Sequence, residues 1–140
     1  MHTPDLRRIR RSVAWFEPCG PALIAQAVRF AADRDADIAA LLPDDQENMN
    51  TLLFRTLVHV VNHAENFALL EAQLATVAAR ARKVGVRATQ LPTMRDALLE
   101  ALAGLAGREW TPQLERDWRT LLDGVIGAML TVPAAKRQAA

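Results

Sequence analysis

Histidines, a single cysteine and two runs of arginine are the residues of this chain with the most obvious chemistry of their own. His59 and His63 stand four positions apart, a spacing that on a helix brings two imidazoles to one face and can hold zinc once a third ligand joins them. They fall on the flank that carries Leu52 and Thr56, off the apolar stripe of their helix, and this places them at solvent or at an interface. Cys19 follows Pro18 in a loop, and nothing in the adjoining sequence activates its thiol, so it reads as an inert small hydrophobe. Arg7, Arg8, Arg10 and Arg11 form one basic run, and Arg80, Arg82, Lys83 and Arg87 another. Neither is interleaved with aromatic residues, so both read as solvated faces and not as a nucleic-acid surface. There is no Gly-rich phosphate loop, no Cys-x-x-Cys pair, no His-Glu-x-x-His signature and no internal repeat.

The elements that would position these groups are helices. The chain has 140 residues, 51% of them apolar, no tyrosine and six glycines, which is the composition of packed helices around one core. We read residues 1–140 as a single domain. Thr3 and Pro4 open a first helix through Leu6, Ile9, Val13, Trp15 and Phe16, and Pro18 to Pro21 interrupt it. A second runs from Pro21 through Leu23, Ile24, Ala27, Val28 and Ala31. Asp35 caps a short turn over residues 36–41, closed by Pro43. Asp44 or Asp45 caps a long helix whose inward stripe is Met49, Leu53, Leu57, Val60 and Ala64. Leu70, Leu74, Val77, Ala81 and Val84 mark the next, stopped by Gly85. Leu91, Met94, Leu98, Leu102 and Leu105 mark another, ended by Gly107, and Thr111-Pro112 opens the last, ended by Pro133. The expectation is six principal helices and one short helical turn, with no sheet.

Net charge is only +1, so the overall field gives no reason to expect nucleic acid or an anionic membrane as partner. No apolar run reaches the roughly 18 residues that span a bilayer. The first residues are too charged to include a secretory apolar segment, and one cysteine makes no intrachain disulfide, both of which favour the cytoplasm.

One resemblance goes beyond these generalities. The text Val-Asn-His-Ala-Glu-Asn-Phe at residues 61–67, residues 77–86 with their Gly85-Val86, then Leu91-Pro92, Trp110-Thr111-Pro112 and Asp117-Trp118 are similar in order and spacing to bacterial globins. The relatives are the globin domain of flavohaemoglobins and the single-domain haemoglobins. The resemblance implies a globin fold and haem as the family cofactor. It also implies that a histidine four residues before the glycine should bind iron, and here that position is Ala81. His2, His59 and His63 all precede residue 64, and residues 67–91 contain no His, Cys, Met or Tyr to serve as an axial ligand.

Other positions carried over from the family change in the same direction. Two proximal tyrosines correspond to Leu91 and Leu122, a glutamate to Ala97, the haem-wedging phenylalanine to Leu42, the polar distal residue to Met49 and the oxygen-binding tyrosine to Val28. The former haem pocket is therefore read as Val28, Leu42, Met49, Leu53, Val77, Ala81, Leu91 and Leu122. These side chains either fill it as ordinary core or line a cavity for a small apolar ligand. The resemblance extends to the haem-free globin domains of bacterial stress-response regulators. It implies a sensor or interaction module working with a protein partner or a second copy, with no cofactor and no catalysis. The alternative is a haem globin for oxygen or nitric oxide with an unconventional axial ligand such as Met49.

Overall fold

A computed structural model describes the backbone of residues 3–139 and the side chains of residues 3–130; His2 lies outside it. Seven α-helices follow one another: α1 (Leu6–Phe16), α2 (Gly20–Arg34), the short α3 (Ala36–Ala40), α4 (Gln46–Asn62), α5 (Glu71–Val84), α6 (Leu91–Ala106) and α7 (Pro112–Ala139). Single 3₁₀ turns at Glu17–Cys19, Phe67–Leu70, Ala88–Gln90 and Gly107–Glu109 join several of them. No strand occurs among the described residues. This is the expected set of six long helices and one short one.

The helix ends follow local chemistry. Asp5, and not Thr3, caps α1 by accepting the Arg8 N–H, which also holds its carboxyl below the usual carboxylate range. Asp35 accepts from Asp37 N at 2.9 Å, Asp45 from Asn48 N at 3.1 Å, and Thr111 Oγ1 from Leu114 N at 3.1 Å. Gly85 ends α5 with φ +105°, a left-handed conformation that a side chain would strain. Pro133 does not stop the last helix, which continues to Ala139. No helix among the described residues is long and apolar enough to cross a membrane.

Packing is carried by α2 crossing α6 and α4, by α5 on α7, and by α6 on α7. The main core joins Ile9, Phe16, Leu23, Val61, Leu74, Leu102 and Trp118. A smaller cluster of Ala31, Ile38 and Ala97, with Phe30 and Met94 against it, gathers around α3. The ends of the chain are tied by a buried polar link between α1 and α7. Trp118 Nε1 donates to Ser12 Oγ at 2.9 Å, Arg8 Nε stands 3.0 Å from the Asp117 carboxylate, and Asp117 accepts the Asp5 N–H. Ser12 and Asp117 are both sealed from solvent, so each is satisfied from within the protein.

At Gly20, the first residue of α2, the backbone lies directly against Phe54 of α4. A Cβ there would run into the ring of Phe54, so the absence of a side chain sets the helix separation. Gly20→Ala is expected to destabilise the fold by about 1–3 kcal/mol, the usual range for overpacking. In urea denaturation, Gly20→Ala combined with Phe54→Leu should recover part of that loss. A Gly20→Ala protein as stable as wild type would show that α2 and α4 do not depend on this approach.

Candidate functional site

The two helices expected to wall a pocket are held by different partners. Helix α4 packs on α2 and α1 through a face that includes Phe54, Val58 and Val61. Helix α5 packs on α7, with Leu74, Ala75 and Ala78 buried. No comparable packing joins α4 to α5.

The segments that flank them are nevertheless anchored. Leu41, just beyond α3, touches Gly85 at the end of α5 so closely that its Cδ2 would lie 3.0 Å from an added Cβ. Next to it, Arg87 pairs with Asp37 at 3.0 Å and Gln90 Nε2 donates to Asp35 at 3.4 Å, which ties the α5–α6 corner to α3. At the opposite end, the ring of Phe67, between α4 and α5, lies against Gly124 of α7. There Arg10 binds Glu65, a hydrogen bond that holds this carboxyl below the usual range.

The burial of the candidate residues departs from the sequence pattern in an informative way. Leu122 is only 7% exposed and belongs to the main core. Val28, Leu42, Met49, Val77, Ala81 and Leu91 are half-buried, and none of them belongs to either core cluster. Leu53, expected on the inward stripe, is 40% exposed. It does not point away from the molecule: on a 3.6-residue helix it falls between Leu57, which packs on the core, and Val60, which is 3% exposed. What it lacks is a neighbouring element to cover it. Val84, also expected to face inward, is 59% exposed at the last position of α5. Leu105 is likewise open, at 46% exposure. Trp15 is exposed although Phe16 beside it is core, since adjacent residues point to different sides of a helix.

His59 and His63 are both exposed, with ring centroids 4.5 Å apart, and His63 sits at the C-cap of α4. No third His, Cys, Asp or Glu completes a metal site with them among the described residues. Arg8, Arg10 and Arg87 are engaged in the ion pairs above, which leaves Arg7, Arg11, Arg80, Arg82 and Lys83 as solvated cations. A concavity not anticipated from the sequence is an open groove of about 390 Å³ between α2 and α6, bordered by Cys19, Leu23, Gln26, Phe30 and Leu105. Sequence reasoning also missed Asn50, a buried amide on α4 one position after Met49. Its only signal was a polar residue at a core-facing helical position.

The globin family matches residues 23–129. Among solved structures, the chain is similar to an engineered carbene transferase, RmaNOD, made from a putative nitric oxide dioxygenase of Rhodothermus marinus. The likeness has a TM-score of 0.83 at 20% identity and covers 96% of this chain and 94% of the other. At that identity it speaks for the fold.

The exposure of Leu53 sets a test. Leu53→Ala should cost less than about 1 kcal/mol in urea denaturation, because little packing is lost, whereas Leu102→Ala in the closed core should cost about 2–5 kcal/mol. Equal losses would mean that Leu53 is packed as core.

Proposed function

The chain belongs to the globin family, and we propose that it is a haem-independent member whose α4–α5 space takes a small apolar ligand and acts as a sensor or interaction module. The observation that carries this reading is that seven apolar side chains, Val28, Leu42, Met49, Leu53, Val77, Ala81 and Leu91, are half-buried or exposed and belong to neither core cluster. A well-packed protein closes such space or uses it. A ligand lying along Met49, Leu53, Val77 and Ala81 would remove apolar area on both walls from water, at about 25 cal/mol per Å². Because α5 is anchored chiefly on α7, filling the space would bias how those two helices pack. A protein partner or a second copy would then read that shift.

The donor set does not fit haem. Iron in haem needs an axial His, Cys, Met or Tyr, and α5 presents none of these. His59 and His63 lie near the far end of α4, on its exposed side. Met49 is the one axial donor on the α4 wall, and it is half-buried. It supports the second reading, a haem globin for oxygen or nitric oxide, which is also the reading suggested by likeness to RmaNOD.

Expression with ample haem is expected to yield a colourless protein without a Soret band. A sharp Soret band would overturn the haem-independent reading: one that Met49→Leu abolishes would identify Met49 as the axial ligand, and one that Met49→Leu leaves intact would return the protein to the oxygen-binding globins. Ala81→His should fold normally yet bind haem only weakly. Leu91 and Leu122 offer the new imidazole no acceptor, and such outer partners of metal-bound histidines are worth about 10–100-fold in affinity. A stable stoichiometric haem complex from that single change would contradict this.

A further inference from the structure

The end of α4 holds His59 and His63 in a specific relation. The His63 N–H donates to the His59 carbonyl at 3.2 Å, so the helical ladder reaches the C-cap and keeps the two residues one turn apart on the same side. Their ring centroids lie 4.5 Å apart, with the planes inclined at 44°. Both side chains are exposed, and no described residue hydrogen-bonds either ring.

That separation is the one a shared metal ion requires. Two imidazoles bound side by side to one ion, each nitrogen about 2.0–2.1 Å from it, bring their ring centres to about 4.5–5 Å. The rings already stand that close, and because they are exposed they can take up an ion without any repacking of the core. The neighbouring charges allow it. Arg10, which donates to the Val61 and Asn62 carbonyls, is neutralised by Glu65. Arg55, one turn before His59, is exposed, where water and salt screen it. The C-terminal end of a helix, which carries partial negative charge, favours a cation.

The geometry points to a two-histidine site for a late first-row divalent cation at the C-terminal end of α4, with water in the remaining coordination positions. Imidazole suits copper(II) and zinc, and copper binds the tighter of the two, whereas magnesium takes oxygen ligands. No third His, Cys, Asp or Glu joins the pair among the described residues, so the ion keeps positions open to small donors from solution. Because the ion bridges the last turn of α4 and its cap, binding also holds that end of the helix and stabilises the folded state. The site is independent of how the α4–α5 space is used.

The test is isothermal titration of the full chain with copper(II), zinc and magnesium chlorides, in proteins that all carry His2→Ala so that the remaining histidine does not compete. Copper and zinc should bind, one ion per chain and copper more tightly, and magnesium should not. His59→Ala and His63→Ala should each weaken copper binding about tenfold or more, since losing a ligand costs at least what losing a ligand's hydrogen-bonded partner does. Both variants should fold like the parent, because the rings are exposed. The urea midpoint of the parent should rise on adding zinc, and those of the variants should not. Copper affinity unchanged in both single variants would overturn the site, and so would a parent that binds neither copper nor zinc. An equal rise of the urea midpoint in parent and variants would overturn the part of the proposal in which the ion holds the helix end.

Discussion

The separation of α4 from α5 is the constraint on which the account depends. Each helix buries its apolar face on other elements, α4 on α2 and α1 and α5 on α7, and no comparable packing joins the two. The α4–α5 connection is held at Phe67 against Gly124, and the α5–α6 corner is held on α3.

Much of the fold was legible because its information is local. Spacings of three and four placed six long helices, Asp35, Asp45 and Thr111 capped where their side chains suggested, and Gly85 and Gly107 ended α5 and α6. The departures share one cause. Periodicity tells which residues share a face and cannot tell whether another element covers that face. Leu53 and Val84 obey the period and remain open, whereas Val60 and Leu74 obey it and are covered. The Ser12–Trp118 and Arg8–Asp117 pairs were invisible for a related reason, since they join residues more than a hundred positions apart.

The candidate site was legible only through resemblance. Ala81, Leu91 and Met49 have no chemistry that would single them out, and they matter because of what the family places there. The structure adds what neither composition nor resemblance offered: most of these apolar residues are half-buried, and Leu53 is 40% exposed.

The most direct measurement is a methyl NMR titration of the full chain with 1-octanol. The account predicts that the methyl signals of Leu53, Val77, Val28 and Leu91 shift, while those of Leu102 and Leu114 in the closed core stay in place. Shifts confined to Leu23 and Leu105, which border the α2–α6 groove, or no shifts at all, would contradict it.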